Sequence, residues 1–157
     1  MPGAEPRSSV ALAGAQAADL PQLVELLGTL FAQESELSPD PGKQRQALEL
    51  ILADPSRARI YVARERDQVI AMAALHFTTS TAEGGKVAGL EDCIVHPGHR
   101  RKGIGKALLE YVIAQARAEG ALRVMLLTDG DNARAQALYR KLGFAPSSML
   151  AMRLLLR

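Results

Sequence analysis

A short basic stretch with two glycines constrains the fold of this chain more than any other feature. Residues 99–106 read HRRKGIGK, and from there the apolar residues recur at helical spacing, at Ile104, Ala107, Leu108, Tyr111 and Val112. An apolar, strand-like run, VAGLEDCIV, precedes the stretch and closes with His96-Pro97-Gly98. The pattern predicts a strand, a glycine-containing loop and a helix in succession, which is typical of a mixed α/β layer fold.

The segments before this stretch also alternate between helical and strand-like patterns. A short strand is expected at Val10–Leu12, and Asp19 is the candidate N-cap of an amphipathic helix that begins at Leu20. The remaining expectations are a helix over Lys43–Ala53, two strands that form a hairpin around Arg66-Asp67, a loop over Thr78–Gly85, and a strand over Val87–Val95.

The segments after the stretch continue the alternation. The helix from Ile104 is expected to end near Gly120, and the continuously apolar run Leu122–Thr128 predicts a central strand. A further helix over Asn132–Leu142 and one or two closing strands within Phe144–Leu156 complete the pattern. With 157 residues and no linker, the chain is expected to form one domain over residues 10–157 after a disordered lead over residues 1–9.

Composition narrows the class of protein. Hydrophobic residues make up 48% of the chain, the net charge is only +2, and no apolar run is long enough to span a membrane. The first residues have no apolar core of a secretory signal, and Cys93 is the only cysteine, within an apolar strand that predicts a buried thiol. These features favour the cytoplasm. Nucleic-acid binding ranks last because 4% aromatic content and no tryptophan leave little stacking surface.

The glycine stretch suits an anion, although the cluster His99–Lys102 can also be read as a solvated surface. A helix start offers unpaired N–H groups and a positive dipole end, and glycine lets the backbone approach phosphate oxygens. A Walker A loop is excluded because Ile104 stands where lysine is required. A dinucleotide fingerprint is excluded because Leu108 occupies the place of its third glycine.

Two motifs together point to a known family. Arg100-Arg101-Lys102-Gly103-Ile104-Gly105 fits R-x-x-G-x-G, and LLTDGDNARAQALYRKLGF follows some way downstream with the pattern N-x-x-A-x-x-L-Y-x-K-x-G-F. Both resemble motifs of the GCN5-related N-acetyltransferases, the GNAT family, and the resemblance covers Val87–Phe144. It implies the acyl-CoA N-acyltransferase fold, a mostly antiparallel central sheet flanked by helices, and acetyl-CoA as co-substrate.

The resemblance also assigns cofactor-binding roles. Backbone amides from Arg101 to Lys106, which include those of Lys102, Gly103, Ile104 and Gly105, would hold the pyrophosphate, with added charge from Arg100, Lys102 and Lys106. The amide near Ile94 or Val95 would face the thioester carbonyl, where the family's fourth and fifth strands splay. Asn132 would contact the pantetheine or begin the last helix. Tyr139 would donate a proton to the sulfur, unless it is simply a core residue of the sheet.

The base that accepts the amine proton is expected among two adjacent carboxylates. Glu91 and Asp92 follow one another on a strand, so regular alternation would place them on opposite faces. We expect Glu91 to face the acceptor and to be the base in preference to Asp92. Asp92 can instead tie down the following loop, and proton removal can run through water without a dedicated base.

Other polar residues are candidates for the acceptor side. His76 lies in the third strand, and Glu34 and Glu36 end the first helix, where the family shapes its acceptor pocket; a solvated helix end is the alternative. His96 and His99 are interpreted as turn residues. No His, Cys and Asp residues have zinc spacing, so no metal is expected.

The sequence therefore predicts direct acetyl transfer from acetyl-CoA to a primary amine, without an acyl-enzyme, because Cys93 is expected to be buried. The acceptor is expected to be a small amine: a polyamine, amino acid, amino sugar or aminoglycoside. A protein amine is the runner-up, and a non-catalytic acyl-CoA-binding module is the rival class. The apolar C-terminal segment MLAMRLLLR could pair with another chain, so a homodimer is also an expectation.

Overall fold

The computed structural model describes residues 9–157, which divide into two compact units, one that runs to Leu127 and one that begins at Thr128. The elements of the first unit are β1 Val10–Gly14, α1 Leu20–Gln33, α2 Pro41–Ala53, β2 Ala58–Glu65, β3 Gln68–Ser80, β4 Gly85–Val95, α3 Ile104–Ala118 and β5 Val124–Leu126. The second unit contains α4, Ala133–Lys141. The single domain expected over residues 10–157 stays a prediction, and the disordered lead expected over residues 1–9 falls, except for Ser9, outside the described residues.

The first unit is built on a five-stranded sheet in the order β1-β2-β3-β4-β5. Neighbouring strands are antiparallel except β4 and β5, which run parallel. Parallel neighbours need a crossover connection, and α3 supplies it. The predicted mixed α/β class, with a mostly antiparallel sheet flanked by helices, is confirmed.

Helices cover both faces of this sheet. Apolar side chains of α1, such as Leu23 and Leu27, form one core cluster with Ile60 and Val62 of β2. Tyr61 lies between those two residues and therefore points to the opposite face. There its ring meets that of Tyr111 in α3 edge-to-face, with 5.8 Å between the ring centroids. The helices α1 and α2 thus pack on one face, and α3 packs on the other.

The β2–β3 hairpin forms where the sequence predicts it. Arg66 and Asp67 are the two turn residues, and Arg66 adopts a left-handed conformation with φ 55°. Gln22 of α1 braces the turn: its side-chain amide donates to the Asp67 carbonyl at 3.1 Å and accepts from the Val69 N–H at 2.8 Å. The end of β2 is therefore held firmly against α1.

Asp19 occupies the N-cap position of α1, as predicted, but its side chain has another role. Its side chain makes no capping hydrogen bond to α1; instead both carboxylate oxygens accept from the Arg64 guanidinium, at 2.6 and 2.9 Å. The Asp19 side chain is only 5% exposed, and a buried carboxylate is stabilised more by a positively charged partner than by a hydrogen bond from a helix N–H. The capping aspartate is Asp40, which accepts from the Lys43 N–H and starts α2 at Pro41, two residues before the predicted start.

Two other predictions of strands and loops differ from the structure. The loop expected over Thr78–Gly85 shrinks to residues 81–84, because β3 continues to Ser80 and β4 begins at Gly85. The segment expected as a central strand, Leu122–Thr128, contains only the three-residue β5 at the edge of the described sheet. Leu122, Met125 and Leu127 are exposed, so apolar composition alone did not indicate burial there.

The closing strands expected within Phe144–Leu156 are also absent from the described structure. Residues 144–157 are irregular, and the large apolar side chains after Phe144 are exposed, namely Met149, Leu150, Met152, Leu154, Leu155 and Leu156. An alternating or continuous apolar run predicts a strand only when a neighbouring strand pairs with it.

Candidate active site

The loop between β4 and α3 carries the basic glycine stretch. It begins with a 3₁₀ turn, Pro97–His99, in which the His96 Nδ1 accepts from the Gly98 N–H at 3.1 Å. The Arg100 side chain then folds back, and its Nε donates to the Val95 carbonyl at 3.2 Å. These contacts fix the loop at the end of β4 and direct the following residues toward the start of α3.

The start of α3 is suited to an anion. Arg101 and Gly103 both have left-handed backbone conformations, with φ 64° and 76°. Gly103 is the N-cap residue, and no side chain caps the helix there. The first N–H groups of a helix have no partner inside it, so those of the first turn are available to a ligand beside the positive end of the helix dipole. The side chains of Arg101 and Lys102 are exposed.

Lys106 contributes less charge to this site than the sequence suggests. Its Nζ lies 3.6 Å from a carboxylate oxygen of Glu110, one turn further along α3, and both side chains are more than half exposed. The exposed cations before α3 are Arg100, Arg101 and Lys102.

The strand β4 contains a bulge at the predicted catalytic carboxylates. Ile94 pairs with Met72 and Glu91 pairs with Ala74, so Asp92 and Cys93 together lie opposite the single residue Ala73. Asp92 has φ 54°, a left-handed conformation that is uncommon in a strand. The bulge therefore interrupts the regular alternation between Asp92 and Cys93, and the expectation that Glu91 and Asp92 point to opposite faces stays a prediction.

Next to the bulge, β4 has an open edge. The strand β5 pairs with β4 only through Ala88, Gly89 and Leu90. From Glu91 to Val95 no strand of the described residues lies on that side of β4, and the opposite side stays paired with β3. Peptide groups near Ile94 and Val95 are thus placed where two neighbouring strands separate, which is the geometry that the sequence resemblance implies for the thioester carbonyl.

Four of the predicted acceptor-side residues come together beside the bulge. Nε2 of His76 lies 3.8 Å from a carboxylate oxygen of Glu91, on the neighbouring strand. The pKa of Asp92 is raised to about 6, mainly by burial and next by the negative charge of Glu91; His76 opposes the rise, and Glu34 adds to it. Glu91 itself is exposed at 66% of its side-chain surface. The cluster therefore joins one recessed carboxyl with raised pKa to the exposed carboxylate of Glu91, the half-buried carboxylate of Glu34 and an imidazole.

Cys93 is not suited to act as a nucleophile. Burial, with a smaller contribution from the charge of Asp92, raises the pKa of its thiol to about 12. A thiol in that range carries almost no thiolate near neutral pH. The geometry thus agrees with direct transfer rather than a cysteine-linked intermediate.

The second unit holds two more predicted site residues. The Asn132 side-chain oxygen accepts from the Ala135 N–H at 3.2 Å and so caps α4, which is one of the two roles expected for it. The ring of Tyr139 packs edge-to-face on Phe144, with 5.8 Å between centroids. Tyr139 is half-buried, and its role as proton donor stays a prediction.

Sequence reasoning missed Glu65. This residue ends β2, and its carboxylate lies 3.5 Å from Nδ1 of His99, at the end of the 3₁₀ turn before the basic stretch. No pattern in the sequence connects two residues 34 positions apart, so only the folded sheet brings them together. His99 is a turn residue, as predicted, but it also has a partner on another strand.

Residues 9–157 contain neither a membrane-spanning helix nor a cluster of metal ligands. Within that range, no helix is long and apolar enough to cross a membrane. The same residues include no group of three or more His, Cys, Asp and Glu side chains that could hold a metal ion. The absence of a metal in the reaction stays a prediction.

Comparison with known proteins places the chain among acetyltransferases. The model of the acetyltransferase (GNAT) family matches residues 21–144. The glucosamine 6-phosphate N-acetyltransferase of Trypanosoma brucei brucei is 29% identical over 132 residues, which span 80% of this chain and 82% of that protein. An acetyltransferase structure from Trypanosoma brucei has a TM-score of 0.74 and 26% identity, over 94% of this chain and all of that one.

Two shorter matches each cover about a third of this chain. Mycothiol acetyltransferase of Beutenbergia cavernae is 44% identical over 57 residues, 36% of this chain and 19% of that protein. The [ribosomal protein bS18]-alanine N-acetyltransferase of Escherichia coli K12 is 40% identical over 57 residues, 36% of this chain and 38% of that protein. The matched segment thus spans less than half of either relative.

One solved structure shows the same fold with its ligand. A Clostridium acetobutylicum protein, named as a predicted acetyltransferase and solved with acetyl-CoA, has a TM-score of 0.78 at 20% identity, over 94% of this chain and 97% of that one. The family model, the relatives and the fold agree with the resemblance that the sequence shows in its R-x-x-G-x-G motif and in the motif that ends at Phe144. The chain belongs to the GNAT family of N-acetyltransferases.

Proposed function

We propose that this protein transfers the acetyl group of acetyl-CoA directly to a primary amine of a small molecule, such as a polyamine, amino acid, amino sugar or aminoglycoside. The observation that carries the proposal is the uncapped start of α3, which follows a strand whose edge is open beside two carboxyl groups. An amino-sugar phosphate enzyme among the relatives supports a small acceptor.

The cofactor fits the loop that precedes α3. Left-handed Arg101 and Gly103 turn successive N–H groups toward one side, and such concave backbone binds phosphate oxygens. Arg100 and Lys102 add positive charge around them, and Lys106, paired with Glu110, adds less. Bound acetyl-CoA supplies an acetyl group activated as a thioester.

The carboxyl cluster supplies the proton acceptor. An ammonium has no lone pair, so the attacking amine must lose a proton before it bonds to the acetyl carbon and the carbon–sulfur bond breaks. The sequence favours Glu91 as the base, whereas the raised pKa of Asp92 favours Asp92, because a base works best when its pKa lies near the working pH. We propose that Asp92 takes the proton and that Glu91 and Glu34 attract a cationic amine.

Tyr139 completes the proposed chemistry on the leaving-group side. The family resemblance assigns its hydroxyl the proton that the departing sulfur takes up. Asn132 fixes the start of the helix that carries Tyr139.

A protein amine is the second candidate acceptor. It is supported by the similarity to the alanine N-acetyltransferase that acts on ribosomal protein bS18. That similarity lies over 57 residues, only 36% of this chain. It therefore supports a protein acceptor less than the similarity to the amino-sugar phosphate enzyme, over 80% of this chain, supports a small one.

A thiol-release assay tests the proposal. The purified protein is given acetyl-CoA and a panel of polyamines, amino acids, amino sugars, aminoglycosides and short peptides with a free N-terminus, and released CoA thiol is measured over time. Turnover with a small amine supports the proposal, and turnover with peptides alone replaces it with the protein acceptor. Tight acetyl-CoA binding without turnover on any amine would favour a non-catalytic acyl-CoA-binding module.

A further inference from the structure

A half-buried contact between the end of β2 and the 3₁₀ turn Pro97–His99 lies directly before the basic residues of the loop. The Glu65 carboxylate, at the end of β2, lies 3.5 Å from Nδ1 of His99, and the two side chains are only 24% and 15% exposed. That nitrogen is buried and has no hydrogen bond of regular geometry within the described residues. The carboxylate is therefore the acceptor that the imidazole faces.

The imidazole of His99 is also held from its other side. The rings of His96 and His99 meet edge-to-face, with 5.5 Å between their centroids. The Nδ1 of His96 in turn accepts from the Gly98 N–H, so the ring of His96 is itself fixed. His99 is thus clamped between a carboxylate from another strand and a ring from its own turn.

The contacts that hold His99 lie next to the part of the loop that contains left-handed residues. Arg100 follows His99 directly, and the left-handed residues Arg101 and Gly103 come next. No strand pairing holds these residues in the described structure. A ligand that binds backbone N–H groups needs them ordered, and order present before binding reduces the entropy lost on binding.

We propose that Glu65 is a positioning residue: it holds His99 and, through it, keeps the backbone of residues 100–105 in the conformation that binds the pyrophosphate. The inference rests on the proposed use of acetyl-CoA. Glu65 touches no reacting group in this account, so its loss weakens binding of acetyl-CoA and leaves turnover at saturating acetyl-CoA nearly unchanged.

The test uses Glu65→Ala, Glu65→Gln, His99→Ala and the Glu65→Ala/His99→Ala double variant of the full chain. The control is Glu49→Ala, which removes an acid that contacts Arg45 at 3.0 Å on α2, far along the chain from the loop. Calorimetry gives the Kd of acetyl-CoA for each variant, and the thiol-release assay gives kcat and KM.

We expect Glu65→Ala to raise Kd and KM by about fivefold to tenfold, as contacting residues couple, with kcat within about twofold. Glu65→Gln keeps an oxygen that can face Nδ1 of His99 and should restore most of the affinity. The double variant should bind no more weakly than the weaker single variant, because both changes remove one contact. Glu49→Ala should match the wild type.

Hydrogen exchange of the ligand-free protein gives a second readout. Amides of residues 100–106 should exchange faster in Glu65→Ala than in the wild type or in Glu49→Ala. If the wild type itself does not bind acetyl-CoA, the proposed function and this inference both fail. If the wild type binds but Glu65→Ala binds equally well, or Glu65→Gln loses as much affinity as Glu65→Ala, only the positioning role is overturned.

Discussion

The Nε2 of His76 lies 3.8 Å from a carboxylate oxygen of Glu91, on the strand next to it. The contact links β3 to β4 at the point where β4 bulges, and Asp92 follows within the bulge. An imidazole, an exposed carboxylate and a recessed carboxyl are therefore coupled electrostatically. The charge of Glu91 raises the pKa of Asp92, and His76 lowers it.

The ionisation of Asp92 predicts an unusual dependence of stability on pH. Its pKa is raised from 3.8 to about 6, so the folded protein binds more protons than the unfolded chain between these values. Stability therefore falls as pH rises from about 4 to about 6, by up to about 3 kcal/mol. In Asp92→Asn this decrease should vanish, so that variant should be more stable than the wild type at pH 7. Urea unfolding of both proteins at several pH values measures it, and a difference between them that stays constant over this interval would contradict the raised pKa.

Substitutions of Asp92 and Glu91 are expected to affect catalysis in different ways. Asp92→Asn should lower kcat by about 100-fold and remove the decline in rate below pH 6, because the base that must be deprotonated is gone. Glu91→Gln should act mainly on the KM of a cationic amine, with a smaller change in kcat. Steady-state kinetics across pH separate the two. The reverse pattern, with the large kcat loss in Glu91→Gln, would identify Glu91 as the base.

Tyr139→Phe removes a hydroxyl and keeps the ring that packs on Phe144. We expect kcat to fall on the order of 100-fold, as when a positioned proton donor is lost. The Kd of acetyl-CoA should stay within about twofold of the wild type, since the proposed phosphate contacts lie elsewhere in the chain. Unchanged turnover in this variant would remove the role proposed for Tyr139.

The buried ion pair between Asp19 and Arg64 is expected to contribute to the free energy of unfolding. Asp19→Asn leaves the guanidinium without its charged partner and should cost about 3 kcal/mol at pH 7. The hydrogen bond from Arg64 lowers the pKa of Asp19 below 3.8, so its stabilisation is present above that pH and is lost as pH falls further. The difference between variant and wild type should therefore narrow in acid. An equal difference at pH 3 and pH 7 in thermal unfolding would contradict this assignment.

Local patterns predicted the helices, the β2–β3 hairpin and the loop that begins α3, because each depends on residues close together in sequence. The bulge at Asp92 and the contact between Glu65 and His99 depend on which strands become neighbours, and no local pattern reports that. For the segment after Phe144, the sequence predicts a feature that the structure lacks. Its apolar composition predicts strands, but no strand of the described residues pairs with it. The acceptor carboxylates were found by residue type, and their different environments emerged only from packing.

The measurement that tests the central claim most directly is calorimetric titration with acetyl-CoA, with dephospho-CoA and ATP as comparison ligands. The wild type and Gly103→Asp are compared with Gly84→Asp, a matched control because Gly84 has φ 79° against 76° at Gly103 and nothing lies within 4 Å of an added Cβ at either residue. Both substitutions impose the same backbone strain, but only Gly103→Asp sets a negative charge at the start of α3. We predict tight wild-type binding, a loss on the order of tenfold or more in Gly103→Asp, and little change in Gly84→Asp. No binding by the wild type, or equal binding by all three proteins, would contradict the assignment of this loop to the pyrophosphate of acetyl-CoA.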